Sequence, residues 1–126
     1  MAATLNLEKF EEYVETALQK QDNKQATHFL NQLITSCPNS LKFAVKKMQC
    51  LIAQEKCDEC HSFATSVQTF FIEESEFLFQ RGKLFSASGN AELAKKFYKQ
   101  ALQSDPDNAK YQKTFKNLSK METFKV

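Results

Sequence analysis

Glycine, proline and tryptophan are scarce in this 126-residue chain, which contains two glycines, two prolines and no tryptophan. An all-β fold of many short strands needs many turns, and turns depend on glycine and proline. Their scarcity excludes such a fold. Hydrophobic residues still make up 42% of the chain, and 12 residues are phenylalanines. We therefore expect a single, almost entirely helical domain with a core built largely from phenylalanine.

Long apolar runs and a strong net charge are also lacking. No stretch approaches the roughly 20 apolar residues needed to span a bilayer, and the first ten residues, MAATLNLEKF, lack the apolar segment of a signal peptide. The formal net charge of +2 is too small to predict binding to nucleic acid or to an anionic membrane. We expect a cytoplasmic or nuclear protein whose four cysteines are reduced.

Residue combinations typical of catalysis are missing as well. His28 and His61 are the only histidines, and neither has nearby serine or aspartate residues in a pattern that predicts a nucleophile and its base. The two glycines, Gly82 and Gly89, cannot form a glycine-rich phosphate loop. We predict no enzymatic activity, no catalytic residues and no cofactor.

The stretch from Ser75 to Asn108 has the clearest pattern in the chain. It predicts two amphipathic helices that are separated at Ser88–Asn90 and end before Pro106. Small residues on the facing sides of the two helices would allow close packing, while bulky residues would fill the space between them. The facing positions are Leu78, Gly82 and Phe85 in the first helix and Ala94, Tyr98 and Ala101 in the second.

The same pattern recurs at intervals of 34 residues. Breaks that resemble Gly89-Asn90 occur at Glu55-Lys56 and at Gln21–Asn23, and Pro38 lies two intervals before Pro106. The period predicts a lead-in over residues 1–6 and three helix pairs over 7–40, 41–74 and 75–108. A lysine-rich seventh helix over 109–126 would cap the last pair. Its lysines at 110, 113, 116 and 120 predict a solvated outer face, and a site for an acidic partner is the alternative.

These features resemble the tetratricopeptide repeat (TPR), in which a bulky residue, glycine and an aromatic residue precede an A-x3-aromatic motif and a closing proline. Arg81 departs from the pattern, which usually has leucine there. The resemblance implies an all-α solenoid of three helix-turn-helix repeats plus a C-terminal capping helix. It also implies a protein–protein interaction module.

Cys57-Asp58-Glu59-Cys60-His61 matches C-x-x-C-H, a sequence used for haem attachment and related to redox and zinc motifs. A small metal or redox protein is therefore an alternative function. The repeat register instead places Cys60 where Ala26 and Ala94 lie, which is a small, buried packing position. A structural zinc site needs four ligands, and only three cluster here. We predict core packing and no metal site.

The first helix of each pair lines the concave face of a stacked helical repeat. The register predicts a groove that runs from acidic in the first pair to mixed or basic in the third, with apolar side chains in between. Such a groove suits an extended or helical peptide, unless neighbouring helices cover the apolar side chains. The candidate partner-binding residues are Glu11, Glu15, Leu18, Lys42, Val45, Lys46, Gln49, Ile52, Phe79 and Lys83.

Some TPR domains bind the acidic C-termini of Hsp70 and Hsp90 through a Lys/Asn/Arg carboxylate clamp. The register places Glu11, Glu15, Lys46, Glu76 and Gln80 at those positions, so none of them matches and three are acidic. We do not expect a clamp of that kind. A weaker contact with an anion remains open for the basic residues of the second and third pairs, which are Lys42, Lys46, Arg81 and Lys83.

From Gln25 onward the chain resembles the middle repeats of J-domain/TPR co-chaperones. Arg81-Gly82, Gln100–Leu102, Pro106-Asp107 and the lysine-rich 110–125 carry this resemblance. It implies a segment of a longer co-chaperone whose partners are the Hsp70/Hsp90 machinery or client polypeptides. A TPR scaffold of another trafficking or regulatory complex is the alternative. Exposed ends of the repeat stack could also support a homodimer.

Overall fold

The computed structural model describes residues 6–123 and, within the last helix, side chains as far as Lys120. The described residues form seven α-helices and no strands. No helix in this range is both long and apolar enough to cross a membrane. The helices are α1 (Leu7–Gln19), α2 (Asn23–Ser36), α3 (Leu41–Ala53), α4 (Cys57–Val67), α5 (Ser75–Ala87), α6 (Ala91–Ser104) and α7 (Ala109–Thr123).

Short polar side chains fix where most of these helices begin. The Asp22 carboxylate accepts a hydrogen bond from the backbone N–H of Gln25 at 3.1 Å, and Asn90 does the same for Leu93 at 3.1 Å. Such caps satisfy one of the amides that a helix start leaves without a partner. Equivalent side-chain caps stand before α1, α3 and α7, at Asn6, Ser40 and Asn108.

The 34-residue period reappears in the backbone of the turns between the paired helices. Positive φ angles occur at Gln21 (57°), Glu55 (61°) and Gly89 (85°), each two residues beyond the end of a helix. The N–H of the next residue then donates to the carbonyl five residues earlier, from Asp22 to Ala17, from Lys56 to Leu51 and from Asn90 to Phe85, at 2.8, 2.9 and 2.8 Å. Such left-handed turns are a common way to end a helix.

The turns that follow the second helices repeat in the same way. Backbone hydrogen bonds run from Ser40 to Cys37, from Glu74 to Phe71 and from Asn108 to Asp105, at 3.2, 3.0 and 3.2 Å. Together with the helix order, these recurring bonds confirm the predicted all-α fold of three helix-turn-helix repeats followed by a capping helix.

The chain divides into two compact units, with the boundary between Lys56 and Cys57. The N-terminal unit contains α1, α2 and α3. Its core is mainly aliphatic, because branched side chains of α1 and α2 meet residues of α3. The buried residues of this core are Val14, Ala17, Ala26, Leu30, Leu33, Phe43 and Cys50.

The C-terminal unit contains α4 to α7 and has a more aromatic core. Gly82 of α5 lies so close to α6 that an added Cβ would sit 2.5 Å from two ring atoms of Tyr98. This confirms the predicted close packing of α5 on α6. The buried residues of this core are Leu78, Phe79, Ala94, Tyr98, Ala101, Tyr111 and Leu118.

The second helix of the middle pair ends in a change of helical geometry. The α-helix ends at Val67, and a 3₁₀ turn follows over Gln68–Phe70. Phe71 is buried beyond this turn, while the side chains of Phe70 and Ile72 are 53% and 71% exposed. The β-branched and aromatic residues in this segment are poor formers of a final α-helical turn. Of the predicted lead-in over 1–6, all but Asn6 lies outside the described residues, as do residues 124–126.

Candidate functional site

Two of the predicted groove lysines form ion pairs within the N-terminal unit. The ammonium of Lys42 lies 2.9 Å from a carboxylate oxygen of Glu11, and Lys46 forms the same kind of ion pair with Glu15. The structure thus brings four predicted site residues together as two α1–α3 pairs. Surface ion pairs of this kind contribute little to stability. They do, however, place a carboxylate beside each ammonium, and this carboxylate competes with any external anion for the positive charge.

The same face of α1 borders an open depression of about 700 Å³. Its lining contains four carboxylates and one ammonium group, so it repels anions and favours cationic or neutral groups. This acidic character agrees with the charge that the register predicts for the first pair. The lining residues are Glu8, Glu11, Glu12, Glu15, Thr16 and Lys42.

The predicted apolar groove positions fall into two classes. Leu18 and Ile52 are partly exposed and remain available to a partner. Val45 and Phe79 are only 3% and 1% exposed, so neighbouring residues cover these two side chains and a partner cannot reach them. Helical register identifies the face of a side chain but cannot show which neighbouring element covers it. The last polar candidate, Gln49, is exposed on α3.

Phe79 is held inside a cluster of aromatic rings. Its ring stacks on Tyr111 of α7, with centroids 4.5 Å apart and planes 27° from parallel, and lies 5.3 Å from the ring of Tyr98. Aromatic pairs at such distances stabilise a fold beyond their buried area. Burial raises the pKa of Tyr98 to about 12, despite a hydrogen bond with Ser86 that acts in the opposite direction. The contacts with Tyr111 and Tyr98 hold the ring of Phe79 in place.

Two lysines lie against this fixed ring. The ammonium of Lys83 on α5 is 5.4 Å from the centroid of Phe79, and that of Lys110 on α7 is 5.2 Å from it. Cations at this distance are attracted by the ring quadrupole. Burial lowers the pKa of Lys83, and repulsion by Lys110 lowers it further. The two positive charges are thus close enough to destabilise one another.

The sequence prediction included Lys83 in the groove but placed Lys110 on the outer face of the capping helix. The signal that could have found it is the repeat register, since Lys110 lies 34 residues after Glu76 and 68 after Lys42. The predicted groove included the first helices of the three pairs and left out the capping helix, although α7 continues their sequence register.

Arg81, the residue that departs from the repeat pattern, is engaged within the C-terminal unit. Its guanidinium lies 4.9 Å from the ring centroid of Phe97 and 6.0 Å from that of Phe85, and it donates to Oε1 of Gln68 at 3.0 Å. A planar guanidinium stacks on aromatic rings and can therefore replace a leucine there. Burial lowers its pKa. These contacts hold the guanidinium against the rings, where its Nε is buried with no hydrogen-bond partner among the described residues, so the group is poorly placed for the anion contact left open by the sequence.

The C-x-x-C-H sequence is dispersed in the structure. Cys60 is fully buried at 0% exposure, as the register predicts, while Cys57 is partly buried at the start of α4. The imidazole of His61 lies 4.9 Å from the ring of Phe85 and 3.1 Å from the hydroxyl of Ser88. Across residues 6–120, no three His, Cys, Asp or Glu side chains are grouped so that they could hold a metal ion.

One segment of the sequence and the fold of the chain are similar to known proteins. Residues 75–108 match the sequence profile of the tetratricopeptide repeat. No curated protein sequence matches the chain. Among solved structures, the first TPR of Spaghetti (RPAP3) bound to the HSP90 peptide SRMEEVD is similar with a TM-score of 0.80 and 14% identity, covering 97% of both chains.

Two further structures show the same fold. The Sgt2 TPR domain from Aspergillus fumigatus matches with a TM-score of 0.82 and 11% identity, covering 97% of this chain and 82% of its own. The type III secretion chaperone SycD of Yersinia enterocolitica, in complex with a peptide of the translocator YopD, matches with a TM-score of 0.77 and 15% identity. That match covers 94% of this chain and 91% of SycD.

The repeating turns and the close Gly82–Tyr98 packing agree with these similarities. Residues 75–108 match the tetratricopeptide repeat, and the seven-helix fold of the chain is that of solved tetratricopeptide-repeat structures.

Proposed function

We propose that the chain is a protein-interaction module that binds a peptide segment of another protein. The observation that carries this proposal is the similarity, over nearly the whole chain, to two structures that hold peptides. These are the first TPR of Spaghetti with its HSP90 peptide and SycD with its YopD peptide. A rigid helical repeat offers an extended surface for such segments.

Within this class, we propose a co-chaperone segment that contacts the Hsp70/Hsp90 machinery or its client polypeptides. The resemblance to J-domain/TPR co-chaperones supports this, as does the similarity to the TPR domain of Sgt2. The positions of the carboxylate clamp hold Glu11, Glu15 and Glu76, and two of the groove lysines are paired with the first two of these residues. We therefore expect binding that does not depend on a clamp.

The test is a titration of the chain with C-terminal peptides of Hsp70 and Hsp90 and, separately, with an unfolded client-like polypeptide, followed by fluorescence anisotropy. Binding to the unfolded chain supports a client-facing segment. Tight binding to a C-terminal peptide that Glu11→Lys, which installs the first lysine of the clamp, does not strengthen would show that the groove is used without a clamp. Binding to none of these ligands would contradict the co-chaperone role and favour the scaffold alternative.

A matched pair of variants tests the apolar part of the surface. Ile52 is a partly exposed groove candidate, and Ile72 is 71% exposed in the turn after the 3₁₀ segment. We expect Ile52→Asn to weaken binding of the unfolded polypeptide by roughly tenfold, the equivalent of one lost apolar contact. Ile72→Asn makes the same chemical change outside the groove and should leave the affinity within twofold of the wild type, roughly the scatter of such measurements.

A further inference from the structure

The C-terminal unit holds two lysines that converge on one aromatic ring. Lys83 comes from α5 and Lys110 from α7, and their ammonium groups lie 5.4 and 5.2 Å from the centroid of Phe79. Phe79 is 1% exposed and stacks on Tyr111, so its ring is packed within the core of this unit. Their methylene stems can cover this apolar surface while the charged ends face water.

Among the described residues, no carboxylate forms an ion pair with these two lysines. Within the part of the chain that the structure describes, the ion pairs join Lys42 to Glu11 and Lys46 to Glu15, and none involves Lys83 or Lys110. Two carboxylates of the same unit, Glu76 and Asp105, act on the hydroxyl of Tyr111 and help raise its pKa, although burial is the larger cause. Neither forms an ion pair with either lysine.

The unpaired lysines repel one another at the edge of an apolar surface. Coulombic repulsion between like charges falls when a counter-ion lies close to both of them, and a partly desolvated ammonium gains more from that ion than an exposed one. An anion close to both ammonium groups would therefore reduce their repulsion. Nucleic acid is a poor candidate, because it needs a wider basic stripe and the chain has a net charge of only +2.

We propose that Lys83 and Lys110, supported by Phe79, form an anion site that receives a carboxylate or phosphate group carried by the bound peptide segment. This inference rests on the proposed function, since it names the chemistry of the partner. It differs from the carboxylate clamp because one of its two cations comes from the capping helix. The site makes the C-terminal unit the part that recognises acidic residues of the partner.

The first experiment probes the site without any peptide. Acetate and inorganic phosphate are titrated into protein with ¹³C-labelled lysine, and the ¹³Cε–¹Hε resonances are followed by NMR. We expect saturable shifts for Lys83 and Lys110 and only small, linear shifts for the exposed Lys113 and Lys116 of the same helix. Saturation by acetate alone identifies a carboxylate site, and saturation by phosphate alone identifies a site for a phosphorylated residue. Linear shifts of Lys83 and Lys110 with both anions overturn the proposal, whatever peptide the chain binds.

The second experiment measures charge dependence in a peptide complex. A peptide with two adjacent glutamates, the same peptide with both replaced by glutamine, and the same peptide with one phosphoserine are compared by anisotropy. We expect Lys83→Ala, which removes a partly buried ammonium, to weaken binding of an anionic peptide by roughly five- to tenfold. Lys110→Ala removes an exposed ammonium and should weaken binding in the same direction but less. Lys83→Arg and Lys110→Arg should largely restore it, and Lys113→Ala is the matched control on α7.

The outcomes separate the two proposals. If the glutamine peptide binds as tightly as the acidic ones and Lys83→Ala has no effect, the anion site is wrong while the peptide-binding function stands. If no peptide binds but acetate or phosphate saturates both lysines, the anion site stands and the peptide-binding function is contradicted for these sequences.

Discussion

The two units use the same repeat positions for different chemistry. Gly82 and Tyr98 meet in the C-terminal unit, and 68 residues earlier Val14 and Leu30 occupy the equivalent positions in the N-terminal core. One pair combines the smallest side chain with a large ring, and the other combines two middle-sized aliphatic side chains. The comparison shows that the register specifies where helices meet, whereas the local pair of side-chain volumes specifies how that contact is filled.

The polar contacts between successive helices differ in the same way. In the N-terminal unit the amide of Gln54 donates to the hydroxyl of Thr27 at 3.0 Å. In the C-terminal unit, the residues 34 positions later are His61 and Ser88, and they form the equivalent contact at 3.1 Å. An uncharged pair is thus replaced by one that can titrate. The lysines of the two units differ as well. Lys42 and Lys46 of α3 form ion pairs, whereas Lys83 and Lys110 lie against the ring of Phe79 and form none among the described residues.

The largest expected effect tests the aromatic character of the C-terminal core. Phe79→Ala removes a ring that is 1% exposed and contacts Tyr98 and Tyr111, so it should lower the free energy of unfolding by about 3–5 kcal/mol. Phe70→Ala makes the same substitution at a side chain that is 53% exposed and should change it by less than about 0.5 kcal/mol. Urea denaturation measures both. Equal effects would show that Phe79 is not a core residue.

The next prediction exchanges the two packing solutions. Gly82→Val should cost about 1–3 kcal/mol or more, because its Cβ alone would lie 2.5 Å from the ring of Tyr98. Adding Tyr98→Leu recreates the Val14–Leu30 pair of the N-terminal unit and should recover a large part of that loss. The double-mutant cycle gives the coupling energy between the positions. Additive losses would mean that these two side chains do not compete for the same space.

A smaller effect concerns the helix caps. Asp22 and Asn90 cap α2 and α6, but the equivalent position before α4 is Lys56, which has no acceptor for a backbone amide. Lys56→Asn should raise the free energy of unfolding by about 0.5–1 kcal/mol through a new cap. Lys56→Ala, which removes the charge but adds no acceptor, should gain less. Equal melting temperatures for the two variants would argue against a capping effect.

The smallest effect is a pH dependence confined to one of the two equivalent polar contacts. Burial and, to a smaller extent, Arg81 lower the pKa of His61 below 6.5, against an opposing effect of Asp58. The unfolded chain therefore binds more protons than the folded one between the lowered pKa and 6.5, so the stability decreases as the pH falls through that window. His61→Gln should flatten this part of the profile of unfolding free energy against pH. An unchanged slope would contradict it.

Much of the fold could be predicted from the sequence because packing volumes repeat with the chain. The 34-residue period, the small residues Gly82, Ala94 and Ala101, and the buried Cys60 all follow from positions that must fit between helices. A pattern of this kind is local to each helix pair and needs no knowledge of distant contacts.

The candidate site was less predictable because it depends on contacts between helices. The burial of Phe79 follows from Tyr111 on α7, and the ion pair of Lys42 follows from Glu11 on α1. A helical wheel shows that a residue faces outward from its own helix, but it does not show the ring or carboxylate that a second helix supplies. Lys110 was left out of the predicted groove for the same reason, since its contact with Lys83 arises only through the ring that the two lysines share.

The buried cysteines give each unit its own reporter of opening. Cys50 is 1% exposed in the N-terminal unit and Cys60 is 0% exposed in the C-terminal unit, and burial raises the pKa of Cys50. A thiol in this state reacts with an alkylating reagent only when the surrounding structure opens. The rate of modification at each cysteine, read by mass spectrometry, therefore measures how often each half of the molecule unfolds on its own.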